Sequence, residues 1–496
     1  MKQFSWLIFL LIHWQANAQQ TPNVIILYTD DLGYGDLSCY GATKISTPHI
    51  DGLAKNGIRF TNGHSTSATC TPSRYALLTG EYPWRKKGTQ ILPGDAALII
   101  PPGTQTLASV FKETGYATGL VGKWHLGLGN SVEKNWNGTI APGPNEVGFD
   151  YSFIFPATAD RVPTVFIENH QVVAADSSDP IQVNYAHPIG NDPTVLTHPQ
   201  LVKMQSVDGH AGTIVNGIGR IGYMSGGIAA RWTDEEMPIS FLQKAKSFIA
   251  NHQKQPFFLL YAFTEPHVPR MPATIFKGKS GLGYRGDAIV QLDWAVGELV
   301  ADLKRLALYE NTIIIFSSDN GPVLNDGYAD DAVEKLNGHT PAGIWRGGKY
   351  STFEAGTRVP FIVSWPKKIQ PAVSNALVSQ IDLLASFAHY FGKPIKANSI
   401  LDSENIWEAF IGKNKTGRSV FIEQGIQSLA IIRDNWKYIE PNKGAAVSST
   451  TRVELGNSLD EQLYHLTTDS SEKINLARQH PEIVAELKNL LIKMRK

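Results

Sequence analysis

Val24-Ile25-Ile26-Leu27-Tyr28-Thr29-Asp30-Asp31 decides the fold class. An apolar run without alternation stops at three polar residues, the pattern of a strand buried on both faces whose end emerges at a polar edge. Three other stretches repeat it. Ile313 to Phe316 ends in Ser317-Ser318-Asp319-Asn320-Gly321, Ala117 to Val121 opens into Gly122-Lys123-Trp124-His125, and Pro256 to Phe263 opens into Thr264-Glu265-Pro266-His267. Such strands, separated by helical stretches, predict a parallel or mixed central sheet sandwiched by helices. Its functional groups gather at the carboxyl ends of the strands. Thr47-Pro48 reads as a helix start, with Thr47 as N-cap and Ile50, Leu53, Ala54 and Ile58 on one face. Asp287 reads as the cap of a longer helix in which Ile289, Leu292, Val296, Leu299 and Leu303 recur at helical spacing. The class is α/β.

At 496 residues the chain exceeds one typical core, which predicts a large domain and a smaller one. A balance of 45 basic and 45 acidic residues argues against a nucleic-acid binder, so charge recognition must be local. Lys2, the apolar run Phe4 to Ile12 and the small-residue site Ala16-Asn17-Ala18 read as a signal peptide over residues 1–18. The run is too short to span a bilayer, and no cysteine follows the cleavage site. The expectation is an exported protein, periplasmic or secreted, without stable membrane insertion. Residues 19–396 form the expected catalytic domain, in which residues 150–237 read as long loops over the sheet's carboxyl edge. Residues 397–496 form an expected α+β subdomain. Ser419 to Glu423, Leu429 to Ile432 and Trp436 to Ile439 read as its short strands, after which Leu463-Tyr464-His465-Leu466 leads through Asp469, Glu472 and Asn475-Leu476 into a final helix from Pro481.

Cys70-Thr71-Pro72-Ser73-Arg74, followed by Leu77-Leu78-Thr79-Gly80, carries the chemistry. Thr71 to Leu78 reads as a helix with Pro72 in its first turn and Gly80 as its stop. Cys70 then sits at a helix mouth that favours an anion, with Arg74 one turn on. The chain has two cysteines, Cys39 and Cys70, so a disulfide is the competing reading. Asp30, Asp31, Asp319 and Asn320 offer hard oxygen ligands suited to calcium or magnesium, although the same residue types also terminate strands in turns. Lys123 and His125 are two apart and point to one side of an extended segment. The glycines of Arg346-Gly347-Gly348-Lys349 let backbone approach a ligand, and Lys349 adds a positive charge. Arg346 reads as a structural ion-pair partner.

The Cys70 stretch resembles the C-x-P-S-R-x-x-x-L-T-G signature of the type I sulfatases, of the alkaline-phosphatase superfamily. Gly122-Lys123-Trp124-His125-Leu126-Gly127 looks like that family's G-K-W-H-L-G segment. The resemblance implies that a maturase oxidises Cys70 to formylglycine (3-oxoalanine), whose hydrated aldehyde is the nucleophile. It implies one calcium ion held by Asp30, Asp31, Asp319, Asn320 and residue 70. Arg74, Lys123 and Lys349 would grip the sulfate, His267 would protonate the leaving oxygen, and His125 would take the proton that lets the aldehyde re-form. Arg161 and Arg231 are candidates for touching the substrate. Ala355 departs from the family's usual Glu-Gly-Gly and argues against a positive φ there. The expected substrate is a sulfated carbohydrate. A simple arylsulfatase, a phosphonate or phosphate monoester hydrolase of the same superfamily, and a non-catalytic glycan binder are the alternatives.

Overall fold

The computed structural model describes residues 21–396 and 402–495. Residues 1–18, expected to be a signal peptide, and the expected subdomain boundary at Ala397 lie outside the described residues.

The four apolar runs are neighbouring parallel strands. In spatial order Thr312–Ser318, Asn23–Thr29, Phe257–Ala262 and Ala117–Lys123 lie side by side, with Val24 opposite Ile313 and Phe258, and Ala262 opposite Gly122. Tyr151–Phe155 adds a fifth parallel strand, and short or antiparallel strands, among them Phe361–Ser364, bring the mixed sheet to ten. Alternate residues serve opposite cores because successive side chains point to opposite faces. Val24, Ile26 and Tyr28 pack with Leu77, Phe111 and Phe387, whereas Ile25 and Leu27 pack with Leu53, Phe241, Leu292 and Val296. The helices Cys70–Thr79, Leu107–Lys112 and Leu383–Tyr390 therefore cover one face. Pro48–Lys55, Met237–Asn251 and Gly283–Arg305 cover the other.

Three local expectations are corrected. Ile58 belongs to the strand Gly57–Phe60 rather than to the preceding helix. Thr47 occupies the N-cap position, but its hydroxyl bonds Ser38 and Asp51; the free N–H groups of His49 and Ile50 donate instead to Asp293 on the long helix. That long helix starts at Gly283, so Asp287 lies inside it and accepts from the N–H groups of Gly278 and Ser280. Residues 150–237 are only partly loops: Tyr151–Phe155 extends the main sheet, and Gln182–Asn184 pairs with Tyr223–Ser225.

The smaller unit is a four-stranded antiparallel sheet, Val420–Gln424, Leu429–Arg433, Trp436–Ile439 and Gln462–His465, with the helix Pro481–Arg495. Its core includes Ala76 and Tyr82 beside Phe421, Ile431 and Leu487, so it packs on the Cys70 helix and the turn that follows. Its first strand continues into the catalytic unit's backbone. Gln424 donates to Thr66 at 3.0 Å and accepts from Ala68 at 2.8 Å, two residues ahead of Cys70. Among the described residues no helix is long and apolar enough to cross a membrane.

Candidate active site

Cys70 opens the helix Cys70–Thr79, which ends at Gly80 in the left-handed conformation, φ 68°. Both cysteines are free thiols, so the disulfide reading is set aside. Cys70 is buried, and that burial pushes its thiol up despite the opposing fields of Lys123 and Lys349. Residue 70 thus stands among cations while its encoded side chain stays protonated.

The strand ends converge around it. Asp30 and Asp31 follow one central strand, Asp319 and Asn320 follow its neighbour, and all four are buried. Asp31 accepts from the Asn320 amide at 2.7 Å, and its backbone, at φ 63°, donates to Asp319. With that amide committed, Asn320 Oδ1 and Asp30 Oδ1 are left buried without a hydrogen-bond partner. Two orphaned oxygens beside two further carboxylates fit a hard, oxygen-seeking cation, since unpaired buried acceptors are otherwise costly. Ligand atoms of Asp30, Asp31 and His267 lie within 4.8 Å of one another.

Each carboxylate is also tied to a cation. Lys123 Nζ meets Asp30 at 2.6 Å, Lys349 Nζ meets Asp31 at 2.9 Å, and Arg74 meets Asp319 at 2.7 Å. Burial acts to raise Asp31, but Lys349 and His267 outweigh it and hold its carboxyl well below the usual range. For Asp30 burial wins over Lys123 and the value rises well above normal. Lys349 is shared with Asp326, which sequence reasoning did not single out.

The two histidines present opposite nitrogens. His125 does not continue an extended strand, as the two-residue spacing suggested, but takes φ 55°. Its Nε2 lies 2.9 Å from the Leu92 carbonyl, which only accepts, so Nε2 carries the proton. Nδ1 is then a bare acceptor, buried and unpartnered. Burial, with Lys123 and Arg161 adding to it, holds this imidazole well below the usual histidine range. His267 donates from Nδ1 to the Val268 carbonyl at 2.6 Å and aims Nε2 toward Asp31, 3.8 Å away. Burial and Lys349 lower it to about 4. Gly122, next to last in the strand Ala117–Lys123 that leads to His125, packs its backbone against the neighbouring strand: at φ 109° a Cβ would lie 1.8 Å from the Ala262 carbonyl oxygen.

Arg161 pairs with Asp160 at 3.1 Å, and Asp160 also meets His210 Nε2 at 3.3 Å. The Arg161 charge is felt at His125 and Cys70, and that of Asp160 at His267. His210 Nδ1 is buried without a partner, and its ring packs edge-on against Tyr328. Asp160 and His210 were missed in the sequence because neither lies at the end of a recognisable strand. Arg231 is engaged elsewhere, with the Gly226 carbonyl and Asp192, both at 2.8 Å. Arg346 is structural as expected, bonded to Glu454 and to the Glu472 carbonyl. Ala355 sits in the helical turn Glu354–Thr357, without a positive φ.

The sulfatase family profile matches residues 22–393. The chain is 54% identical over 473 residues to the N-acetylgalactosamine-6-O-sulfatase of Bacteroides thetaiotaomicron, covering 95% of this chain and 93% of that one. It is 32% identical over 489 residues to human arylsulfatase A, covering 95% and 87%. A solved structure from work on glycosaminoglycan metabolism by Bacteroides thetaiotaomicron superimposes with a TM-score of 0.95 at 54% identity, over 96% of this chain and 99% of that one. These likenesses run through the sheet, both acidic strand ends and the Cys70 helix, and the chain belongs to the sulfatase family, as a sulfuric ester hydrolase.

Proposed function

We propose that the chain removes sulfate from a sulfated saccharide, with residue 70 as its reacting centre. What carries the reading is the arrangement of three buried cations, each within 3 Å of a carboxylate, around a helix mouth that also holds two unpartnered oxygens. Asp30, Asp31, Asp319 and Asn320, with residue 70, would hold calcium, which supplies charge for the ester oxygens and lowers the pKa of an attacking hydroxyl. Conversion of Cys70 to formylglycine by a maturase supplies that hydroxyl as a hydrated aldehyde.

The chain's own residues do the rest. Arg74, Lys123 and Lys349 bind and orient the sulfate oxygens, where a fixed cation stabilises charge without reorganising. His125, with Nδ1 bare, accepts a proton from residue 70's second hydroxyl. His267 holds a proton at Nε2 for the departing sugar oxygen; an incoming anionic ester raises its affinity for that proton. Asp160, Arg161 and His210 face the leaving group. The saccharide assignment rests on the N-acetylgalactosamine-6-O-sulfatase relative and on this polar triad, which suits sugar hydroxyls better than an aryl ring. The protein acts after export, in the periplasm or outside the cell, with residues 19–396 as catalytic domain and 397–496 as subdomain.

Mass spectrometry of the peptide containing residue 70 tests the maturation, expecting the mass of the aldehyde or its hydrate in place of the thiol. Turnover of defined sulfated mono- and oligosaccharides, set against matched phosphate and phosphonate esters, tests the activity. Preference for the phosphorus esters would overturn the reading.

A further inference from the structure

A cavity of about 830 Å³ is lined by Val207, Tyr328, Glu334 and Arg452 among others, and it reaches toward the site through Gly347 and through Pro322, whose carbonyl accepts from the Lys349 N–H at 2.9 Å. That volume is of the size that encloses a whole small ligand, far more than one sulfate group requires. Its charged lining residues are Asp330, Glu334, Arg452 and Glu454. Asp330 is paired with Arg270 and Glu454 with Arg346; of the two charged lining residues without a side-chain partner among the described residues, Glu334 and Arg452, both exposed, Arg452 is the one cation.

The backbone holds this arginine in place. Arg452 has φ 63°, a left-handed conformation uncommon for a residue other than glycine and often retained at functional positions. A tight turn enforces it: Arg452 donates to Ser448, Ser448 to Val453, and Leu455 to Ala446. The turn is anchored to the site at two points. Asn325, five residues past Asn320, donates to the Thr450 carbonyl, and Val453 Cγ1 lies 3.6 Å from where a Cβ on Gly348 would stand, next to Lys349.

We infer that this cavity is a second saccharide subsite, taking the sugar beside the sulfated one, and that Arg452 binds an anionic group on that sugar. This rests on the saccharide reading above. The shared chemistry is a planar or tetrahedral oxyanion, a uronate carboxylate or a second sulfate, either of which a guanidinium grips with paired donors. The apolar lining of Val207 and Tyr328 suits the flat face of a pyranose ring.

The test is steady-state kinetics of wild type and Arg452→Ala on four substrates: the sulfated monosaccharide, the disaccharide with a neighbouring uronate, the same disaccharide with its carboxyl reduced, and one with a second sulfate. Arg452 is exposed and outside both cores, so the variant folds, as an unchanged melting temperature confirms. The expected result is about a tenfold fall in kcat/KM, the worth of one charge-assisted hydrogen bond, for whichever anionic disaccharide Arg452 recognises. The monosaccharide and the reduced disaccharide are unaffected. A uronate-only effect identifies a carboxylate, a disulfate-only effect a sulfate. Equal losses on all four substrates, or no loss on any, overturn the subsite. Failure of wild type on every saccharide overturns the proposed function instead.

Discussion

Lys437→Met tests how the small subdomain is locked to the catalytic unit. Lys437 Nζ lies 2.6 Å from Glu423, 3.0 Å from Glu354 and 3.2 Å from Glu472, and none of the four side chains reaches solvent. Arg358 pairs with Glu354 at 2.6 Å, so two cations face three carboxylates. Glu472 takes up the mismatch: burial raises it to about 8 against the pull of Lys437, with Glu354 adding to the rise. A carboxyl whose folded pKa exceeds its unfolded value, here 4.5, binds more protons when folded. Its stabilising effect is therefore complete below that unfolded value and is lost as pH rises toward about 8. Removing Lys437 leaves a second excess anion that must bind a proton to stay buried. At about 1.36 kcal/mol per pH unit above the unfolded pKa, this costs about 4.8 kcal/mol at pH 8 and about 0.7 kcal/mol at pH 5. The higher figure matches the range of about 3–5 kcal/mol for breaking a buried ion pair. Denaturant unfolding of both proteins at the two pH values measures it. A loss equal at pH 5 and pH 8, or below about 1 kcal/mol at pH 8, refutes the charge argument.

Cys70→Ser, made in a host whose maturase acts only on cysteine, is expected to bind sulfated ligand but turn over at under about a thousandth of the wild-type rate; calorimetry and product release check the two halves. Gly122→Ala places a Cβ 1.8 Å from the Ala262 oxygen at φ 109°, so the strand pair must part. A destabilisation of about 2–4 kcal/mol and loss of His125 placement are expected, read by denaturant unfolding and by kcat. Arg161→Gln and His210→Ala are expected to lower kcat/KM about tenfold each on a sulfated sugar and to spare a small aryl sulfate, in kinetics on both substrates.

The sheet was legible because unbroken apolar runs such as Ile313 to Phe316 suit only a strand covered on both faces, and because each ends at the residues it delivers. The acidic pairs, Lys123 and both histidines are local to those ends, whereas Arg74 and Lys349 were legible from the Cys70 stretch and from the glycine-flanked segment at 346–349. What the sequence could not show depends on partners far along the chain. Asp293 caps a helix 243 residues away, a pairing that no local rule contains, so Thr47 looked like the cap. His125 looked extended because a two-residue spacing carries no sign of the left-handed turn, φ 55°, that it takes just past the strand's end at Lys123. Asp160 and His210 are 50 residues apart in a region of short hairpins and meet only in the fold. Arg231 had the right charge and the right region, but Asp192 and Gly226 engage it.

The charge balance at the site predicts that cation and sulfate binding are interdependent. Asp30, Asp31 and Asp319 each have a cation partner in Lys123, Lys349 and Arg74, within 2.6–2.9 Å, although Lys349 also meets Asp326. A calcium ion bound there would compete for those carboxylate oxygens and free the three cations for another anion; a sulfate ester would compete for the cations and free the carboxylates. Each ligand removes the partner that opposes the other, so each favours the other. Opposite charges about 5 Å apart at an effective dielectric of about 20 attract by about 3 kcal/mol before desolvation. The net coupling should then fall within the usual 1–3 kcal/mol, about 5- to 150-fold in affinity. Linkage requires the same factor in both directions. Calorimetric titration of calcium with and without saturating sulfate, and of sulfate with and without calcium, measures it twice. Equal calcium affinity in both backgrounds would show that the carboxylates and the cations act as separate sites, and the pairing seen here would have no part in binding.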